Sequence, residues 1–146
     1  MNLYMNSIDI SLFGEYYVSA MMHLWGWNAA MTLKNYPGID IFGYNPQSGR
    51  HTSIQIKTGN NKYTVLTGIK LGNFTSKIGF ISQPYVFVHI KSFNDIECFI
   101  LKASDFVALA QQECSKMNAK NNGANSLIKF KWKDLAPYKD QWQNLW

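Results

Sequence analysis

The chain has 146 residues, 47% of them hydrophobic and 15% aromatic, with a formal net charge of +5 at pH 7. That length suits one domain with a real core, and that composition excludes a disordered chain. The fourteen Lys and Arg residues, of which Arg50 is the one arginine, suit a polyanionic partner and equally suit ordinary basic solubility.

In chain order, residues 10–25 read as a helix, with Leu12, Tyr16, Ala20 and Leu24 recurring every four residues as its buried stripe. Glu15 lies beside that stripe, flanked by Ser19 and Met22, where it can lean over a sheet edge. Gly26 ends the helix as a left-handed cap. Residues 27–33 read as a strand, and Asn35-Tyr36-Pro37-Gly38 as the loop into a second strand that carries Asp40. Asn45-Pro46-Gln47-Ser48-Gly49 has the composition of a hairpin turn. Residues 59–83 hold Lys62, Lys70 and Lys77 among glycines, threonines and Asn73, and read as part crossover helix and part loop. Parallel neighbours in a sheet require such a crossover.

Residues 85–90 are a continuous apolar run, as expected of a central strand covered on both faces. Ser92-Phe93-Asn94-Asp95 turns the chain, and residues 96–101 return as another strand. Ser104 is placed to cap a helix over 105–118, in which Phe106, Leu109, Ala110, Cys114 and Met117 form one stripe. A loop follows at 121–125. Residues 126–132 alternate, with Ile128, Phe130 and Trp132 on one face and Lys129 and Lys131 on the other. Pro137 opens a short terminal helix bearing Trp142 and Leu145. No repeat, low-complexity tract or linker divides residues 1–146, which read as a single domain. The N-terminus lacks the pattern of a signal peptide, and no stretch reaches the length of a membrane span. Cys98 and Cys114 lie in apolar or amphipathic stretches without metal-ligand spacing, as for buried thiols in a reducing cytoplasm.

The chemistry concentrates in Pro37-Gly38-Ile39-Asp40-Ile41 and Ile54-Gln55-Ile56-Lys57-Thr58. On pleated strands side chains alternate. His51, Ser53, Gln55 and Lys57 therefore point one way and Ile54 and Ile56 the other, while Asp40 opposes Ile39 and Ile41 in the same sense. An acid, an amide and a lysine gather on the face opposite the isoleucines. Carboxylate and carbonyl oxygens are hard ligands suited to Mg²⁺, and a lysine beside them can act on phosphate.

This pattern resembles the PD-(D/E)XK nuclease superfamily, in its branch with Gln-x-Lys in the second strand, as in Mrr-type restriction enzymes and small stand-alone members. Phe13-Gly14-Glu15-Tyr16-Tyr17-Val18 matches the family's glutamate-bearing helix, and Gly-Ile-Asp and Gln-Ile-Lys match its two motif strands, over roughly the first two-fifths of the chain. The resemblance implies an α/β, restriction-endonuclease-like mixed sheet of about five strands with flanking helices. It implies Mg²⁺ (or Mn²⁺) held by Asp40, Glu15, the Gln55 carbonyl and the main-chain carbonyl of Ile56, with Lys57 acting on the water and the scissile phosphate. Where the commoner pattern has an acid, Gln55 is neutral, so metal affinity is expected to fall. Active relatives with Gln-x-Lys exist, so the substitution does not exclude catalysis.

The function so implied is a metal-dependent nuclease hydrolysing phosphodiester bonds in DNA. The alternative is a catalytically inactive nucleic-acid-binding or protein-interaction domain on the same fold. Lys62, Lys70 and Lys77, with Tyr36 and Tyr63 in loop-like sequence, are the candidate nucleic-acid contacts. The chain is too short for a separate recognition domain, which a homodimer or a partner chain would supply. Each residue alone also has a bland reading. Asp40 suits a turn, Gln55 and Lys57 a solvated strand face, and Glu15 a helix start. His23, His51 and His89 lack partners at metal-ligand spacing.

Overall fold

A first helix, α1 (Ser7–Leu24), lies across a sheet and sets the geometry of everything near it. The computed structural model describes residues 5–33 and 37–146. Asn6 caps α1 reciprocally with Asp9: its side chain accepts from the backbone N–H groups of Ile8 and Asp9, and the Asp9 carboxylate accepts from Asn6 N. At the other end Gly26 takes φ +82°, and the N–H groups of Gly26 and Trp27 close back on the carbonyls of His23 and Met22. That is the left-handed cap the sequence predicts, and it folds Trp27 onto Met22 in the core.

The buried face of α1 is not the expected one. Gly14, Val18 and Met22 are buried and Ile10, Phe13, Tyr17 and Met21 pack beside them, whereas Tyr16 is 64% and Leu24 80% exposed. Strict four-residue spacing advances about 400° per step, so such a stripe drifts around the helix. Mixed three- and four-residue spacing holds a constant face. Gly14 is where the helix comes closest to the sheet, since a Cβ there would collide with the Thr58 hydroxyl and lie 2.9 Å from Thr58 Cβ.

Five strands form the main sheet in the order β1 (Asn28–Met31), β2 (Ile41–Asn45), β3 (Arg50–Gly59), β5 (Tyr85–Ser92), β6 (Asp95–Leu101). All neighbours are antiparallel except β3 and β5, which run parallel with Gln55 opposite Tyr85 and Lys57 opposite Phe87. This is the α/β architecture expected, a mixed five-stranded sheet with flanking helices. β5 is buried from Tyr85 to Ile90, as its apolar run requires.

Both faces of the sheet carry a core. Ile41, Ile54, Ile56, Val86, Val88 and Ile100 face α1, together with Trp142 and Leu145 from the C-terminal 3₁₀ turn (Trp142–Leu145). On the other face Tyr85, Phe87, Phe99 and Leu101 pack against α3 (Ala103–Ala119) and a two-stranded antiparallel ribbon. That ribbon pairs β4 (Thr64–Lys70) with β7 (Leu127–Lys131). It corrects the reading of residues 59–83: helix is confined to a 3₁₀ turn (Leu71–Asn73) and the short α2 (Phe74–Ile78), and β4 crosses over the sheet as a strand. β4 went unrecognised because β7, with which it pairs, lies some sixty residues downstream.

Two smaller corrections concern caps and termini. The helix α3 begins at Ala103 with Lys102 as its N-cap residue, so Ser104 lies inside the first turn and makes no cap bond. Pro137 sits within a 3₁₀ segment (Trp132–Tyr138) rather than opening a helix. Cys98 is buried, with burial pushing its thiol up to about 12, while Cys114 is only half-buried; both are free. No helix among the described residues is long and apolar enough to cross a membrane.

Candidate active site

The site arises where two paired strands part. β2 and β3 run in register from Asn45 opposite Arg50 to Ile41 opposite Ile54. One residue earlier, Asp40 still donates its N–H to Ile54 O at 2.8 Å, and its own carbonyl accepts from Thr32 N at 2.9 Å. Beyond that point the chain leaves β3, which continues to Gly59 paired only with β5 on its other side. The Ile56 N–H faces the gap and would be orphaned there. The Asp40 carboxylate takes its place in the ladder, with Oδ2 accepting from Ile56 N at 2.6 Å. A strand residue presents its N–H and C=O to the same side, so the Ile56 carbonyl opens into the same gap.

Gln55 completes the arrangement. Its side chain is 7% exposed, and Nε2 donates to Asp40 Oδ2 at 2.5 Å and to Ile56 O at 3.4 Å. The inward orientation of the amino group follows from charge, because the amide oxygen in that place would face an ionised carboxylate. The amide nitrogen thus sits between the two groups assigned to a cation by the resemblance. Both bonds to Asp40 run to Oδ2, and Oδ1 takes part in neither.

Lys57 follows on the same face as Gln55. Burial pushes its ammonium pKa down, opposed by the charges of Asp40 and Glu15 and reinforced by that of Lys77. Asp40 moves the other way: burial raises its pKa, while the Ile56 N–H and Lys57 pull it down. Above Lys57 lies the bulge in β4. Gly68 there takes φ +80°, and a Cβ on it would stand 3.2 Å from Lys57 Nζ. A ribbon with a side chain at this point would press on the lysine head.

Glu15 arrives from the opposite face of the sheet, around the edge that β2 has vacated. It lines one cleft with Asp40, Gln55, Ile56 and Lys57, walled by Ser7 and Ser11 of α1 and by Leu66 and Gly68 of β4. The close approach at Gly14 is what brings the neighbouring Glu15 that far. A cavity of about 520 Å³ lies between these walls, within the range of ordinary ligand sites. No group of three or more His, Cys, Asp or Glu side chains among the described residues could hold a metal. The oxygen donors here are two carboxylates, an amide and a backbone carbonyl.

The other residues singled out by sequence are more dispersed. Lys77, exposed on α2, is near enough to act on Lys57 through its charge. Lys62 and Lys70 are exposed and line no part of the cleft. Tyr63 is 68% exposed, with Lys62 Nζ 5.4 Å from its ring centre. Tyr36 lies outside the described residues. His51 lies against Tyr44 with the two rings tilted, and it lines no part of the cleft. His89 is buried under Trp132, with ring centres 4.1 Å apart, and burial pushes its pKa down. Sequence reasoning missed Tyr85: it sits beside Gln55 across the parallel pair, stacked on Phe106, and burial together with the Asp40 charge pushes its hydroxyl up to about 12. Only the parallel register of β3 and β5, invisible in sequence, brings it there.

No protein-family model matches the sequence, and no curated protein matches it. Among solved structures, the chain is similar to Archaeoglobus fulgidus Hjc, a Holliday junction resolvase from an archaeal hyperthermophile, with a TM-score of 0.47 and 9% identity over 88% of each chain. That likeness concerns the path of the chain and not its chemistry.

Proposed function

We propose that the protein is a metal-dependent nuclease of the PD-(D/E)XK kind, hydrolysing phosphodiester bonds in DNA. One observation carries the reading: Glu15, Asp40, Gln55, the Ile56 carbonyl and Lys57 meet in a single cleft where β2 parts from β3. The donor set fits Mg²⁺ or Mn²⁺, since every available donor is a hard oxygen. Asp40 and Glu15 would hold the ion, with the Ile56 carbonyl and a Gln55 amide turned to present its oxygen. Such an ion supplies charge stabilisation at the phosphate and a more acidic water.

The chain's own residues supply the rest. Asp40 is fixed by backbone bonds on both sides and by the Ile56 N–H on Oδ2, so its carboxylate is held at the cleft without reorganisation. Lys57 Nζ, with its pKa lowered by burial, is suited to take a proton from an attacking water. In its charged form it would instead offset the phosphate. Lys62, Lys70 and Lys77, with Tyr36 and Tyr63, are the proposed contacts to the nucleic acid outside the reacting phosphate. The proposed setting is the cytoplasm.

A second reading has its own observation. The Gln55 amide already satisfies Asp40, so the cleft is complete without a cation. A catalytically silent nucleic-acid-binding domain would look the same. Incubation with duplex, single-stranded and branched DNA in Mg²⁺ or Mn²⁺ separates them. Cleavage that EDTA stops and that Lys57→Ala abolishes supports the nuclease. Salt-dependent binding without cleavage supports the silent binder. Neither binding nor cleavage removes both and leaves a protein-interaction domain.

A further inference from the structure

The charge of this chain is unevenly placed. No Asp or Glu occurs between Asp40 and Asp95, a stretch holding Arg50, Lys57, Lys62, Lys70, Lys77 and Lys91. None occurs between Glu113 and Asp134, which holds Lys116, Lys120, Lys129, Lys131 and Lys133. The fold brings these two acid-free stretches together as β4 and β7. Inward the ribbon buries Val65, Thr67, Ile69, Ile128 and Phe130. Outward it presents Leu66, Lys70, Lys129 and Lys131, all exposed, with Lys129 opposite Leu66 and Lys131 opposite Thr64. Among the described residues, Lys70, Lys129 and Lys131 form no ion pair, whereas Lys91, Lys116 and Lys139 are each paired with Glu97 or Glu113. Leu66 and Gly68 also line the cleft, so the lysine-bearing face continues directly from its wall.

We propose that the outer face of the β4–β7 ribbon, through Lys70, Lys129 and Lys131, is a platform that binds the phosphate backbone of a nucleic acid and leads it into the cleft. It rests on the nuclease reading for its occupant. Unpaired lysines on a two-stranded face offer point charges without a hydrogen-bonding fork, which suits backbone tracking rather than base readout. Leu66, exposed on this face, sits at the boundary between platform and cleft.

The test measures binding of labelled DNA in EDTA as a function of salt, for the wild-type chain and for Lys129→Gln/Lys131→Gln, with Lys70→Gln added in a triple variant. Each lysine in contact contributes about 0.9 to the log–log salt slope on duplex and about 0.7 on a single strand. The double variant should therefore lose nearly two units on duplex and the triple variant nearly three, with melting temperatures unchanged because the side chains are exposed. In Mg²⁺ the variants should cleave with a raised KM. Equal slopes for wild type and triple variant overturn the platform while leaving cleavage, and so the nuclease reading, intact. A wild-type chain that neither binds nor cleaves DNA overturns both. Loss of binding to anionic phospholipid vesicles in the triple variant, with DNA binding unchanged, assigns the face to a membrane surface and overturns the proposal.

Discussion

Replacing Gln55 with glutamate probes the centre of the site. The Gln55 amide donates to Asp40 Oδ2 at 2.5 Å in a position that is 7% exposed. Gln55→Glu exchanges that donor for a second carboxylate oxygen in contact with the first. Two carboxylates sharing a site shift one pKa upward by about 1–3 units, and each unit is worth about 1.4 kcal/mol. The metal-free variant should thus lose about 1.5–4 kcal/mol at pH 7, or about 5–12 °C in melting temperature for a chain of this size. The sign with pH follows. The folded pair holds a proton more tightly than the unfolded chain, so the deficit is absent below the unfolded carboxylate range and grows as pH rises through the raised folded value. Divalent metal should reverse it, and the added charge should raise affinity at least tenfold, about 1.4 kcal/mol. The assay is thermal melting in EDTA and in graded Mn²⁺, from pH 4 to pH 8, with calorimetric metal titration. A variant that melts with wild type in EDTA at pH 8 and binds metal no better refutes the Gln55–Asp40 contact and the metal site with it.

Other substitutions test the supports. Asp40→Asn should abolish cleavage while keeping much of the fold. Asp40→Ala should also lose about 1–3 kcal/mol in chemical denaturation, because the Ile56 N–H is left without an acceptor. Gly14→Ala should cost about 1–3 kcal/mol by driving α1 off Thr58, and it should lower kcat as Glu15 recedes; a variant with full stability and rate contradicts the close packing. Gly68→Ala should cost about 1–2 kcal/mol for its left-handed backbone and reduce activity further by crowding Lys57. Lys77→Met removes a charge that helps hold the Lys57 pKa down, so the limb of the pH–rate profile that requires neutral Lys57 should move to higher pH; no movement, or movement the other way, contradicts that electrostatic link.

The gathering of Asp40, Gln55 and Lys57 was legible because its logic is local. Gln55 and Lys57 lie on one strand of a hairpin and Asp40 lies one residue before the other, still bonded to Ile54, so the alternation that separates them from Ile41, Ile54 and Ile56, which are buried as expected, carries through to Asp40. The face of α1 was misread because four-residue spacing drifts, and because Gly14 carries no hydrophobic signal although it makes the closest approach in the helix. The ribbon was half seen. Residues 126–132 show clear alternation, but β4 is broken by the Gly68 bulge and has its partner far along the chain. Tyr85 reached the site only through a parallel register that no local pattern encodes.

The parting of β2 from β3 ties these observations together. Had the two strands stayed paired to Gly59, the Ile56 N–H and carbonyl would have been consumed by the ladder, and α1 could not have reached past the edge with Glu15. Ending the pairing at Ile41 exposes one backbone donor and one acceptor inside the protein, which is costly unless both are met. Asp40 meets the donor and the Gln55 amide approaches the acceptor at 3.4 Å. Both groups are thereby met by the chain's own side chains. A carboxylate in place of Gln55 would leave that acceptor unmet and add repulsion, and the fold would then depend on a bound cation. On the proposed reading, the neutral amide would lower metal affinity and remove the need for metal in folding by one and the same contact.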